Sequence, residues 1–433
     1  MPEPVPANTV YLRGGRIAWR DLLEQARPLA ARLAMKDVRR VAWVTKDAED
    51  AMLAAGAMAG FGISGAILAG ELLTDMVRAQ LANHGLALIR TGNDDPAGAG
   101  RTGDGTISTA ERPIFVLTSG STGTPKIIEH TWRSLYTARA AQPAPGTVWI
   151  CPYLPGTYAW YQLVTLGMFG ADQHLIPVDA SDVEEAFARA LAAGATAISS
   201  TPTFWRVARL EVAPRVLRAL ALRQITLGGE RVDQAILDWL ATEYPTTRLT
   251  HIYASSEAGA AIVVHDRIEG FPASWLDGRA RGEVSLRLRD GRLWIRSPFA
   301  AIAGVASNDG WVDSGDLLEL KGDRAVFAGR AEDAFVNVGG GKASIGDIES
   351  VVLSHPSVLW CKAYGRRAPL VGNLVCAQVV FDREAGKAPD ERALTEYCGT
   401  RLPENAVPRM WQILGSVPAG PAVKSRIAGH ADQ

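Results

Sequence analysis

Cysteine is scarce in this chain. Cys151, Cys361, Cys376 and Cys398 are its only four, and none stands at the paired spacing of a metal centre, so they read as small buried residues with no metal or catalytic role. An excess of one charge is missing as well: 45 basic and 46 acidic residues give a formal net charge of −1, which excludes a global pull towards nucleic acid or an anionic membrane. Any anion site must therefore be local. No apolar run approaches the ~18 residues of a membrane helix. The start Met1-Pro2-Glu3-Pro4 lacks the basic and apolar regions of a secretory signal, so a cytoplasmic chain without a membrane span is expected. There is no internal repeat and no long low-complexity tract.

The composition is globular: 433 residues, 47% hydrophobic and 21% charged, are enough for two or more cores. Residues 21–34 carry apolar side chains at helical spacing, 41–44 read as a strand and 51–61 as a second helix. Further strands are expected at 148–150, 174–178, 195–199, 224–227 and 249–253, with helices at 183–193 and 234–243. Each strand ends in a loop of Gly, Ser, Thr or Pro, where open α/β sheets place ligands. Over 282–297 the rhythm becomes a two-residue alternation, with Val284, Leu286 and Leu288 on one face and Asp290-Gly291 as a hairpin turn. Beyond Arg330 it changes again, to a helix at 345–353, strands at 358–363 and 374–380, and a helix at 390–401. The expected fold class is α/β. A large N-terminal domain covers 1–330, with α/β subdomains to about 270 and a β-rich part over about 271–330, and a small α+β C-terminal domain covers 331–433.

Thr118-Ser119-Gly120-Ser121-Thr122-Gly123-Thr124-Pro125-Lys126 follows the apolar run Ile114-Phe115-Val116-Leu117. A buried strand opening into such a loop offers backbone N–H groups, hydroxyls and a cation to an anion, and glycine allows close approach. The segment reads as a phosphate cradle. A P-loop needs a Gly-Lys pair followed by Ser or Thr, whereas Pro125 precedes Lys126 and Ile127 follows it, so that motif is excluded. Residues 126–129 read as a second short strand and a helix begins only at Trp132, so no helix dipole is aimed at the phosphate.

Four more clusters follow in order: Gly228-Gly229-Glu230, then Tyr253-Ala254-Ser255-Ser256-Glu257, then Gly310-Trp311-Val312-Asp313-Ser314-Gly315-Asp316-Leu317, and last Gly329-Arg330-Ala331-Glu332-Asp333 running on to Gly339-Gly340-Gly341-Lys342. With these residues the chain resembles, from about residue 10 to residue 426, the superfamily of adenylate-forming enzymes that includes acyl- and aryl-CoA synthetases, the adenylation domains of peptide synthetases, and luciferases. The resemblance implies a large domain of stacked α/β sheets, a small mobile C-terminal lid, and ATP and Mg²⁺ as cofactors. It assigns the triphosphate to Thr118, Ser119, Gly120, Ser121, Thr122, Gly123 and Lys126, with Thr122 and Glu257 acting in catalysis beside Mg²⁺. Tyr253 would stack on adenine, with Ala254, Ser255 and Ser256 beside it, and Gly228, Gly229 and Glu230 would wall off adenine or the acyl group. Asp316 would accept from the ribose diol, and Arg330 would donate to ribose or phosphate oxygen. Read from the residues alone, Asp316 also fits a turn aspartate and Arg330 a surface ion pair.

Near the end, Pro418-Ala419-Gly420-Pro421-Ala422-Val423-Lys424-Ser425-Arg426 resembles the family segment that delivers a catalytic lysine, here Lys424, with Val423 where glycine is usual. The resemblance implies two steps: a carboxylic acid and ATP give an acyl-AMP and pyrophosphate, then the small domain rotates and a thiol displaces AMP. Glu332 would be the hinge, and Gly339, Gly340 and Gly341 the channel for the pantetheine of CoA or of an acyl carrier protein. By position, Tyr158, Trp160, Trp205 and Gly228 would line the acyl pocket, which favours an aromatic or short acid. Two alternatives stay open, an amine acceptor giving an amide and a nucleotide-binding homologue without catalysis.

Overall fold

A computed structural model describes residues 4–36, 38, 40–90, 112–118, 126–140, 143–276, 278–301, 309–331, 334–338, 341–368, 372–386 and 388–418. Two sheets of mainly parallel strands form its bulk. The smaller runs Ala87–Arg90, Arg40–Thr45, Ser64–Ala69, Ile114–Thr118, Lys126–His130. The larger runs Gly259–Val264, Arg248–Ser255, Gln224–Gly228, Ala197–Ser200, Thr147–Cys151, Gln173–Pro177, Thr9–Leu12, Gly15–Ala18. Only the outermost pairs of these sheets are antiparallel, apart from the uniformly parallel edge at Ala87–Arg90.

Near-continuous apolar strands are what a sheet covered on both faces requires. In Arg40–Thr45, Val41 and Trp43 enter one core cluster while Ala42 and Val44 enter another. In Thr147–Cys151, Trp149 and Cys151 join that first cluster, and Val148 and Ile150 face a third. The shared cluster contains the helices Trp19–Met35, Ala48–Phe61 and Tyr158–Phe169, which are therefore the filling between the two sheets. Helices Val183–Ala192, Pro202–Glu211 and Gln234–Glu243 cover the outer face of the larger sheet. Tyr158–Phe169 is apolar on nearly every side, which is why a helical stripe does not show in its sequence.

A six-stranded antiparallel sheet follows, from Phe271–Pro272 to Arg324–Arg330, around a core of its own. Its hairpin turn sits at Asp290 and Gly291, with φ of 52° and 74°, the two positive values that a tight two-residue hairpin needs. The small C-terminal domain packs helices Ile345–Leu353 and Glu391–Gly399 on the sheet Val358–Ala368, Gly372–Phe381, Met410–Leu414.

Charged side chains join the two domains. Arg206 Nε donates to the Leu359 carbonyl at 2.9 Å, Arg209 pairs with Asp382, Arg231 donates to the Gly346 carbonyl at 2.9 Å and to Ser350 Oγ at 2.7 Å, and Lys321 meets Asp347 at 2.8 Å. Among the described residues no helix is long and apolar enough to cross a membrane.

Candidate active site

Parallel strands deliver their C-terminal ends to one edge, so the motif residues at those ends share a rim although they are far apart in the chain. Tyr253 lies near the end of Arg248–Ser255, while Asp316 and Arg330 face each other across the antiparallel pair Val312–Lys321 and Arg324–Arg330. The Tyr253 hydroxyl donates to Asp316 Oδ2 at 2.5 Å, and Arg330 Nε approaches Asp316 Oδ1 at 3.2 Å. Arg330 also donates to the Ser314 carbonyl at 2.6 Å, across Gly315, whose φ is 73°. Burial, and then the negative charge of Asp316, push the Tyr253 phenol well above its ordinary pKa, so it stays protonated and remains a donor. Phe327 lies parallel to the Tyr253 ring at 4.6 Å and covers one of its faces. An ionised carboxylate has about four acceptor positions, so Asp316 keeps capacity for further donors after meeting these two.

The cradle segment joins Ile114–Thr118 to Lys126–His130 as an antiparallel hairpin, with Thr118 opposite Lys126. Thr118 Oγ1 is buried and has no hydrogen-bond partner among the described residues. Ser119, Gly120, Ser121, Thr122 and Gly123 lie outside the described residues, as do Glu332, Gly339, Gly340 and Lys424. Gly341 opens the strand Gly341–Ser344 and packs against Asn405. Glu257 stands in the turn after Tyr253; its carbonyl accepts from the Ala301 N–H at 2.9 Å, and no described residue pairs with its carboxylate. Among the described residues, a carboxylate without a partner on one motif segment and a buried hydroxyl without one on another suit a hard cation with its phosphate.

Gly229 takes a φ of 81°, and the Glu230 carboxylate accepts from Thr203 N at 3.1 Å and Thr203 Oγ1 at 2.6 Å. The Gly-Gly-Glu wall is thereby tied to the first turn of Pro202–Glu211. The three expected pocket aromatics are placed differently from one another. Tyr158 is buried, but its hydroxyl is tied to Gln162 Nε2 of its own helix at 2.9 Å and to the Ala260 backbone in the strand Gly259–Val264. Trp160 and Trp205 have no exposed surface; the first sits against Tyr161, and the second among Phe187, Trp239 and Tyr244, so both fill the core. Sequence reading missed Phe327 and His130. Two-residue alternation through Ile128 and His130 was the available signal for a buried histidine.

Residues 106–298 match the AMP-binding enzyme family and residues 347–422 match the AMP-binding enzyme C-terminal domain. The chain belongs to the adenylate-forming superfamily. It is 30% identical over 135 residues to 2-methylpropanoate–CoA ligase of Humulus lupulus, a match covering 31% of this chain and 24% of that protein. The chain spans 16% to 41% of the first three curated relatives matched, a minority of each. Two solved structures cover almost all of it. The anthranilate CoA ligase AuaEII in complex with anthranoyl-AMP superposes with a TM-score of 0.77 at 17% identity, covering 97% of this chain and 93% of that one. The amide bond synthetase McbA from Marinactinospora thermotolerans gives 0.71 at 19%, covering 96% and 95%. At such identity these likenesses establish the fold alone.

Proposed function

We propose that this chain is an AMP-forming acid–thiol ligase that activates a carboxylic acid with ATP and passes the acyl group to CoA or to a carrier-protein pantetheine. The Tyr253–Asp316–Arg330 contact carries this reading, because it brings a planar aromatic against a diol acceptor 63 residues further along the chain and the forked cation paired with it. An adenine would use the Tyr253 face that Phe327 leaves, and the ribose diol would donate to Asp316. Arg330, held at the Ser314 carbonyl, would aim its remaining donors at ribose or phosphate oxygen.

The triphosphate would lie over Thr118, Lys126 and the 119–125 loop, with Thr122 and Glu257 holding Mg²⁺. When bound, that ion neutralises charge on the phosphate oxygens. In the first step a carboxylate oxygen bonds to the α-phosphorus as the bond to the pyrophosphate oxygen breaks, and the Lys424 ammonium offsets the negative charge that gathers between them. In the second, thiol sulfur attacks the acyl carbon, the carbon–oxygen bond to AMP breaks, and the thiol proton passes to solvent. Glu332 would serve as the hinge between the two steps and 339–341 as the thiol channel. An aromatic or short acid without a second charge suits the pocket, since 152–160 and 201–205 carry no Asp, Glu, Lys, Arg or His.

The test offers a panel of such acids with ATP and Mg²⁺, and follows pyrophosphate and acyl products by mass spectrometry with CoA, pantetheinylated carrier protein or amines as acceptors. Acid-dependent pyrophosphate followed by a thioester is the expected result. An amide in place of the thioester moves the acceptor to an amine, the reaction named for McbA. Tight ATP binding with no pyrophosphate from any acid removes the catalytic reading.

A further inference from the structure

His130 belongs to none of the nucleotide motifs, yet it joins two of them. It ends the strand Lys126–His130, opposite Ile114 in the cradle hairpin, and is fully buried. Its Nε2 lies 2.7 Å from the carbonyl oxygen of Ser256, 126 residues further along the chain. Its Nδ1 lies 3.0 Å from Ser134 Oγ, and the Tyr158 ring is centred 5.5 Å away. A carbonyl only accepts, so Nε2 carries the proton. Burial lowers the imidazole pKa to about 4 against a smaller opposing effect of the Ser256 bond, so the ring is neutral and Nδ1 is an acceptor. The Ser134 hydroxyl accepts from the Thr131 N–H in a capping box, and its one proton is shared between the Thr131 carbonyl at 3.1 Å and Nδ1 at 3.0 Å, the donor that Nδ1 needs. One tautomer satisfies both ends.

The Ser256 carbonyl belongs to the turn that carries Glu257. Beyond the strand pairing of Ser255 with Gly259 that closes it, that turn is held at two other points among the described residues, by Ala301 N–H on the Glu257 carbonyl at 2.9 Å and by Ala258 N–H on Ser255 Oγ at 3.0 Å. His130 supplies the third hold, and among the three it alone connects the turn to the hairpin that carries the cradle. A solvated or merely space-filling histidine at this place would not need a donor aimed at a backbone oxygen of another motif.

We propose that His130 is a positioning residue that sets the Glu257 turn in register with the phosphate cradle, so that the triphosphate and its Mg²⁺ are gripped together. This rests on the ATP-site reading above. The side chain touches no reactant; it acts through Ser256 and Glu257.

Paired amides test it, because the Gln side-chain nitrogen reaches the place of Nε2 whereas Asn reaches only that of Nδ1. For the Asn variant, kcat for acid-dependent pyrophosphate release falls by on the order of 10²-fold, the cost of a small misplacement at a reacting centre, and KM for ATP in the presence of Mg²⁺ rises. His130→Gln recovers most of that loss. Thermal melting confirms that both variants are folded, and ATP affinity with and without Mg²⁺ is measured alongside: Mg²⁺ strengthens ATP binding in the parent and in His130→Gln, but much less in His130→Asn. Equal losses in two folded variants, or an unchanged His130→Asn, overturn the proposal. Should the parent release no pyrophosphate with any acid, the ligase reading fails by itself, and the Mg²⁺ effect on ATP affinity still decides the role of His130: the same effect in the parent and in His130→Asn refutes it.

Discussion

Asp316→Ala separates the structural from the nucleotide-binding role of one carboxylate. In the free protein that carboxylate accepts from the Tyr253 hydroxyl at 2.5 Å and faces Arg330 at 3.2 Å. A hydrogen bond to a charged group contributes about 1.5 to 3 kcal/mol, and its loss strands a half-buried phenol. The Arg330 side chain is 40% exposed, so the ion pair is screened and adds about 0 to 1 kcal/mol. Stability should therefore fall by roughly 2 to 3 kcal/mol, read as a lower urea midpoint. If the same carboxylate also accepts from the ribose diol, ATP binding loses a second contribution of roughly 1.5 to 3 kcal/mol, a rise of about 10- to 150-fold in Kd by calorimetry. Tyr253→Phe is the control: it keeps the ring on Phe327, removes only the hydroxyl, and should lower stability with a much smaller effect on ATP. An unchanged ATP Kd in folded Asp316→Ala refutes the ribose role, and an unchanged midpoint refutes the structural one.

Gly156→Ala places a methyl group on the Ile67 carbonyl at a φ of 87°, so it should destabilise the chain by at least ~2 kcal/mol in urea unfolding; a near-neutral outcome contradicts that contact. Lys424→Ala should slow adenylation by on the order of 10² to 10³ while supplied acyl-AMP still reacts with thiol, and equal loss of both half-reactions removes the lysine assignment. Burial alone would raise the pKa of Asp233, but Arg206 at 2.5 Å and the Ile236 N–H bring it net below the ordinary 3.8. A depressed folded pKa stabilises above the unfolded value and is lost as pH falls through the folded one, so the advantage of the parent over Asp233→Asn should shrink below about pH 3.8. A constant difference in urea midpoint across that range opposes the assignment.

Much of the fold could be read in the chain because each strand and helix carries its own period. Arg40–Thr45, Gln224–Gly228, Gln234–Glu243 and Ile345–Leu353 lie within about two residues of their expected limits, where local pattern and burial agree. Tyr158–Phe169 escaped because a helix buried between two sheets has no polar face. The parallel strand Met410–Leu414 escaped for the opposite reason: most of it is exposed at an edge, and its pairing with Gly372–Phe381 is non-local. At the site, Tyr253, Asp316 and Arg330 could be picked out by residue type and spacing, but their mutual hydrogen bonding could not, since it depends on how two sheets abut. Trp160 and Trp205 illustrate the limit of composition: an aromatic beside a pocket and one filling the core look alike until burial is known.

The central claim is that these strand ends converge on one adenine nucleotide. A crystal structure with a nonhydrolysable acyl-sulfamoyl adenosine tests it most directly. The account predicts the adenine against Tyr253, the ribose hydroxyls on Asp316 and the sulfamoyl group towards Thr118 and the 119–125 loop; adenosine bound away from Tyr253, Asp316 and Arg330 would contradict it.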